Sequence, residues 1–350
     1  MKRLSLKEYN TNITRYKINH ELSSKIYLDG FSGFTTIDGY EIKGICCRCK
    51  NKSCAYYDEN ELKTRRFSQF PKNPSNRVCP VNAISFDTNG VASINNIECL
   101  NCGLCVYRCP FAAIQYNPQK GVCYINNEIN DDVVTCSIDE QKILVDKSRD
   151  IPYKISYKPI TIKFSTDYSQ RIKSYVSSFS DISEIIVRNS LLNLGCKCNV
   201  NAQGNVHTRT EFFAETNDTI IIGESEITNT DTLSVNRRIL DDMAVLISRY
   251  GYSKDYIIPL AVINGLPNKR TDYYEVIKDI NNILGVQINT ITYHILFMLH
   301  LYQIQLSRGI LSKFIIDKNN LSLVEPTSEV IKNLSQKDGT LFTTNYIPTK

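Results

Sequence analysis

The sequence predicts an α+β chain of two domains. The first is small and cysteine-rich, over residues 1–135, and includes an N-terminal extension. The second is an α/β domain with a mixed sheet over 136–350, ending in a helical extension. Three observations predict this. Ten of the 13 cysteines lie between Cys46 and Cys123. From about residue 168 the hydrophobic spacing becomes regular, in the order helix, three strand-like runs, helix, strand. And 350 residues suffice for two modest cores.

Composition sets outer limits. With 42% hydrophobic and 22% charged residues, the chain falls in the ordinary soluble globular class. A formal net charge of +5 permits an anionic partner without requiring one. The opening MKRLSLKEYNTNITRYK has no apolar core, so no secretory signal is expected. The longest apolar run, ITYHILFMLHLYQI (291–304), is too short to span a bilayer and reads as a buried helix carrying His294 and His300. A cytoplasmic protein with no membrane contact is expected. CxxC runs in such a chain point to metal rather than to disulfides.

Residues 1–45 hold no motif; DGFSGFTTIDGYEIKG reads as turns and short strands. Then Cys99-x2-Cys102-x2-Cys105-x3-Cys109-Pro110 has the spacing of 4Fe–4S ligation. Three thiolates two residues apart wrap a short loop around one cube, and the fourth, before proline, turns away to a second cluster. Zinc, the competing ion, usually takes two separated CxxC pairs. A second half is present. CPVNAI (79–84) repeats CPFAAI (109–114), and an upstream triad runs Cys46-x2-Cys49-x4-Cys54. Cys46, Cys49, Cys54 and Cys109 are therefore assigned to one cluster. Cys79, Cys99, Cys102 and Cys105 are assigned to the other. Cys47 could replace Cys46, but Cys46 preserves the CxxC. Cys123, Cys136, Cys196 and Cys198 lack motif spacing and read as small buried residues.

Residues 46–116 resemble the dicluster bacterial-type ferredoxins, a family with this crossed ligation. The chain departs from that pattern in two places. The first triad has a four-residue second gap, and 24 residues separate Cys54 from Cys79. That insert carries Lys63, Arg65, Arg66, Lys72 and Arg77. It reads as a solvated loop or, more sharply, as a contact for DNA phosphates or a redox partner.

Residues 117–150 are polar and read as the connection, and ISYKPITIKF (155–164) alternates as a strand. SDISEIIVRNSLLNLG (180–195) has helical spacing, with Asp181 to cap it and Gly195 to close it. Strand-like runs follow at 196–200, 206–215 and 219–227. Next come a helix at 234–251 and a strand at 255–265. No GxxxxGK[ST] or GxGxxG occurs, which argues against an NTPase and a nucleotide-cofactor reductase.

The run IIIGESE ends in Glu224-x-Glu226, two acids on one side of a strand. Glu211 precedes them on the neighbouring strand and Glu184 on the helix. His207, Arg209 and Glu211 alternate onto one strand face. The order of acids resembles the restriction-endonuclease-like PD-(D/E)xK nuclease superfamily. The resemblance implies that Glu184 is the helix acid, Glu211 the strand acid and Glu224 the first acid of the pair. Glu226 stands where lysine is usual, and Glu211 replaces an aspartate. Arg237 and Arg238 on the following helix are candidates for a migrated cation; Asp218 lies too close to Glu224 to be the strand acid. The resemblance further implies Mg²⁺ on Glu211 and Glu224 and hydrolysis of DNA, in phage defence or repair.

Plainer roles compete. Glu184 is three residues from Asp181, the spacing of a capping pair. Glu224 and Glu226 could end a strand emerging into solvent. The expected function is Mg²⁺-dependent DNA cleavage in an iron–sulfur protein. The alternatives are an electron-transfer protein whose second domain docks a partner, and an inactive nucleic-acid-binding protein.

Overall fold

The computed structural model describes residues 31–32, 36–37, 40–41, 52–64, 75–88, 90–95, 97–100, 102–105, 108–109, 114–117, 122–125, 172, 175, 181–201, 210–227, 231–301, 304–316 and 322–331. The chain divides into two compact units, residues 1–58 with 77–164, and residues 59–76 with 165–350. The insert residues 59–76 thus group with the second unit.

The first unit is built of short antiparallel pairs. They are β1 (Phe31–Ser32), β2 (Thr36–Ile37), β3 (Tyr40–Glu41), β4 (Ile84–Phe86), β5 (Ala92–Ile94), β6 (Ile114–Asn117) and β7 (Val122–Ile125). β1, β6 and β7 form one sheet, while β2–β3 and β4–β5 are separate ribbons. The short strands expected in 29–44 are present as β1 to β3. In the β4–β5 hairpin the Asp87 carboxylate accepts from Val91 N–H at 2.8 Å, an Asx-type closure.

The second unit opens with a short helix, α1 (Glu59–Leu62). It continues with α2 (Ile182–Asn193), β8 (Lys197–Val200), β9 (Phe212–Glu215), β10 (Ile220–Glu226), α3 (Thr232–Tyr250) and β11 (Ile257–Ile263). Then follow α4 (Tyr273–Leu284), β12 (Asn289–Thr292), α5 (Tyr293–Leu301), α6 (Arg308–Leu311) and α7 (Val324–Val330). The strands lie side by side in the order β12-β11-β10-β9-β8. β8–β9 and β9–β10 are antiparallel, whereas β10–β11 and β11–β12 are parallel. This is the expected mixed sheet.

β10 is buried along its length except for half-buried Glu226, so both faces of the sheet are covered. On one face Phe213, Ile220, Ile222 and Ala261 pack with Val235, Ile239, Met243 and Leu246 of α3 and Ile280 of α4. α2 packs on β8, β9 and β10 and against α5. Gly223 is required at its position. A Cβ there would stand 2.1 Å from the Leu260 carbonyl oxygen and 2.3 Å from the Phe212 ring.

Three expectations are corrected. The insert is not simply a solvated loop: 59–62 form a helix with Leu62 buried, and Arg188 donates to the Ser75 carbonyl. The run at 291–304 is not wholly helical. Ile291 and Thr292 complete β12, and the Thr292 hydroxyl then accepts from Ile295 N–H to start α5. Asp181 makes no side-chain cap on α2; Glu184 instead accepts from the Ser183 hydroxyl at 2.7 Å. Gly195 does close α2, with φ +87°, as Cys196 N–H bonds back to Leu191 O. His207, Arg209 and the strand at 155–164 lie outside the described residues. No helix among those described is long and apolar enough to cross a membrane.

Candidate iron–sulfur centre and acidic site

The first unit gathers its thiols through backbone bonds. Asn95 N–H donates to Ala83 O and Cys99 N–H to Asn95 O, each at 2.9 Å. This chain of bonds holds the loop entering Cys99 against the turn that carries Cys79. Positive φ at Asn82 (56°) and Gly103 (71°) makes the two turns tight. Ala83 N–H points at Cys79 Sγ, 3.1 Å away.

Cys79, Cys99, Cys102 and Cys105 lie within electrostatic reach of one another. Burial pushes the Cys79 thiol up to about 12, and Cys105 and Cys99 push it the same way. Cys102 is raised by burial and then by Cys79, Cys105 and Cys99. Cys79 and Cys102 so placed do not ionise near neutrality against water alone. A cationic cluster is what would make four thiolates tolerable there. The donor set therefore fits iron–sulfur ligation.

A second set of bonds draws Cys54 towards Cys109. Arg108 Nε donates to Ser53 O at 3.2 Å, and the Ser53 hydroxyl donates to Arg108 O at 3.5 Å. The Arg108 guanidinium is buried and lies 4.4 Å from the centre of the Tyr57 ring, a cation–π contact. Val78 N–H donates to Ala55 O at 2.7 Å, so the segments bearing Cys54 and Cys79 also run together. Cys46, Cys47, Cys49 and Cys136 lie outside the described residues, as do Arg65, Arg66 and Lys72. Cys196 and Cys198 are buried in the second unit, where burial raises both thiols.

The second unit collects acids at the β9–β10 end of its sheet. The register puts Gly223 opposite Phe212, so Glu224 follows opposite Glu211. Glu224 is 1% exposed. Its Oε1 accepts from Glu211 N–H at 3.2 Å, and its Oε2 lies 2.5 Å from Arg238 Nε. The Glu211 carboxylate accepts from both N–H and hydroxyl of Ser225, at 2.6 and 2.8 Å. Burial pushes Glu211 up to about 8, helped by Glu224 and Glu184. Burial and Asp242 push Glu224 up to about 7. The Tyr293 hydroxyl is raised by burial and by Glu211, Glu184 and Glu226. Arg237 is exposed, and Asp218 sits in the β9–β10 turn on the Thr216 hydroxyl.

The expected Mg²⁺ pocket on Glu211 and Glu224 is not a ready-made chelate. Among the described residues no three Cys, His, Asp or Glu side chains are arranged to hold a single ion. The carboxylates turn instead to Arg238 and Ser225. A four-iron cluster differs from a single ion in this respect, because each thiolate binds its own iron.

Sequence reasoning missed Asp242, which burial raises to about 7 and which meets Thr210 and Glu224. A signal existed. Asp242 is four residues after Arg238, hence on the same helix face, and it borders the buried Ile239 and Met243.

Comparison with known proteins bears on the first unit. Residues 76–113 match the 4Fe-4S dicluster domain family. The thiosulfate reductase electron transfer subunit PhsB of Salmonella typhi is 41% identical over 49 residues, covering 14% of this chain and 26% of that protein. A tetrathionate reductase subunit of Archaeoglobus fulgidus is 29% identical over 94 residues, 25% of this chain and 35% of that protein. The formate dehydrogenase iron-sulfur subunit of Wolinella succinogenes is 37% identical over 49 residues, 14% and 24%. The chain thus spans roughly a quarter to a third of the length of these relatives. No solved structure matches the chain.

Proposed function

We propose that this iron–sulfur protein carries electrons through two 4Fe–4S clusters. Cys79, Cys99, Cys102 and Cys105 hold one; Cys46, Cys49, Cys54 and Cys109 hold the other. The second unit docks the redox partner. The carrying observation is the gathering of four thiols, three of them on buried residues, with half-buried Cys79 brought to the loop of the other three. The dicluster match and three relatives named as subunits of reductases or a dehydrogenase support this reading. The clusters supply one-electron chemistry when bound. The chain's own residues bury the sulfurs and donate to them, as Ala83 N–H does to Cys79, which sets the potential. Protein purified without air should carry about eight irons, as two cubes require, and exchange electrons rapidly with reduced methyl viologen. Zinc in place of iron, or slow exchange, sinks the reading.

One observation favours a second reading, metal-dependent DNA cleavage in the second unit. Arg238, one of the two candidate migrated cations, pairs with Glu224, the first acid of the pair in which Glu226 takes the place of the usual lysine. Glu211 and Glu224 would then trade their protons for Mg²⁺. Cutting of plasmid DNA that needs Mg²⁺ and is lost in Glu224→Ala supports it. Clean preparations that cut nothing remove it.

A further inference from the structure

The 24 residues between Cys54 and Cys79 leave the first unit and return to it. Their two ends are fastened together inside that unit. Tyr56 and Arg77 form an antiparallel bridge, and Val78 N–H donates to Ala55 O at 2.7 Å. Ala55 adjoins Cys54 and Val78 adjoins Cys79. Each end of the insert thus begins at a cluster ligand of the assignment proposed above.

The middle of the insert belongs to the second unit. There α1 packs on β8, the end strand of the five-stranded sheet. Leu62 and Thr64 are buried. Arg188 of α2 is wholly buried and donates from Nη1 to the Ser75 carbonyl. A buried guanidinium is costly unless it is hydrogen-bonded, so α2 gains from having Ser75 in place. α1 is a single turn, too short to persist by itself. Fastened ends leave the insert less freedom to lose on docking. Its hold on β8 therefore depends on the restraint at Cys54 and Cys79. From this edge two connections run to the acids. Arg188 lies one turn after Glu184 on α2. Asn201 N–H, just past β8, donates to Glu211 O at 2.9 Å.

We infer that the insert makes the β8–α2 edge of the second unit report whether the clusters are loaded. With iron on Cys54 and Cys79 the ends of the insert are fixed and α1 stays docked. Cluster loss frees both ends, α1 leaves β8, and Arg188 loses the Ser75 carbonyl. The edge then loosens, and with it the backbone that carries Glu184 and Glu211. The inference rests on the cluster assignment proposed above and makes the second unit a sensor of cluster loss.

The test is hydrogen–deuterium exchange of the full-length protein without air, cluster-loaded and after removal of iron with a chelator. Amides at 59–64 and 185–201 should exchange about tenfold faster or more once iron is gone. Amides of α4 and of β11, which lies beyond β9 and β10 in the sheet, should not change. Leu62→Ala should accelerate exchange at 185–201 in the cluster-loaded protein, with iron content and electron paramagnetic resonance spectrum unchanged. Equal exchange at 185–201 in loaded and iron-free protein overturns the inference. So does acceleration that extends equally to β11 and α4, which is general unfolding, or parental exchange at 185–201 in Leu62→Ala. Iron analysis reads the ligand assignment and exchange reads the coupling, so the two fail separately.

Discussion

Replacing Glu211 by glutamine should stabilise the protein at high pH and leave it nearly unchanged at low pH. Glu211 is raised from 4.5 to about 8, so the folded state holds a proton that the unfolded state gives up. Stability from such a group is present below the unfolded pKa and lost as pH rises through the folded one. The cost of ionising Glu211 therefore develops between about pH 4.5 and 8. Titrating alone, the shift corresponds to about 5 kcal/mol. Partial exposure of Glu211 and its coupling to Glu224 reduce this, so about 1–3 kcal/mol is expected. At about 2–4 °C per kcal/mol for a unit of this size, the variant should melt a few degrees to ~10 °C higher at pH 8.5. The glutamine amide keeps a carbonyl for the two Ser225 donors, so the comparison isolates charge. Melting curves of both proteins from pH 5 to 9 provide the assay. Parallel pH profiles, or a glutamine variant that is less stable at pH 8.5, would refute the argument that burial and Glu224 hold this carboxyl protonated.

Cys109→Ala should roughly halve the iron while sparing the cluster of Cys79, Cys99, Cys102 and Cys105, as read by iron analysis and electron paramagnetic resonance; loss of the latter alone contradicts the crossed assignment. Arg108→Gln removes a buried positive charge beside the segments of Cys54 and Cys109, so one cluster potential should fall in an anaerobic redox titration, and two unchanged potentials would deny Arg108 that role. Gly223→Ala places a methyl 2.1 Å from Leu260 O, so it should cost more than the usual ~1–3 kcal/mol of overpacking and leave little folded second unit by circular dichroism.

How much of this was legible in the sequence depended on how local the cause was. The cysteine spacing could be read because three ligands wrap one loop. The clamp that brings Cys79 to that loop, through Asn95 and Ala83, has no sequence signature. The strands bearing Glu211 and Glu224 could be read from their apolar runs, and their opposition follows from an antiparallel hairpin. Asp242 could not be found from strand motifs, because it arrives from α3. The run at 291–304 misled because a short apolar segment reads alike as strand or helix. Pairing of Ile291 with Val262 and of Thr292 with Ile263 decides for strand in its first two residues. Glu184 misled in the other direction. Its spacing from Asp181 suits a cap, but Ser183 takes the carboxylate first.

The two units share one electrostatic problem and differ in how they can solve it. Among the described residues each gathers at one place several groups that ionise to anions, Cys79, Cys99, Cys102 and Cys105 in the first and Glu211, Glu224 and Asp242 in the second. In the first unit Cys79 and Cys102 stay neutral at ordinary pH without metal, since burial holds Cys79 up to about 12 and raises Cys102 as well. Iron must therefore displace protons there, and loading should release acid at pH 7. In the second unit Glu211, Glu224 and Asp242 lie at about 8, 7 and 7, with Arg238 as the cation on Glu224. Protons and one arginine satisfy that site near neutrality. A divalent ion has an advantage there only above about pH 7, where the protons leave. Mg²⁺ should consequently raise the melting temperature at pH 8.5 and not at pH 6. That pattern should vanish in Glu211→Gln if the acids are the site. A stabilisation by Mg²⁺ equal at both pH values, or retained in the variant, would place the ion elsewhere.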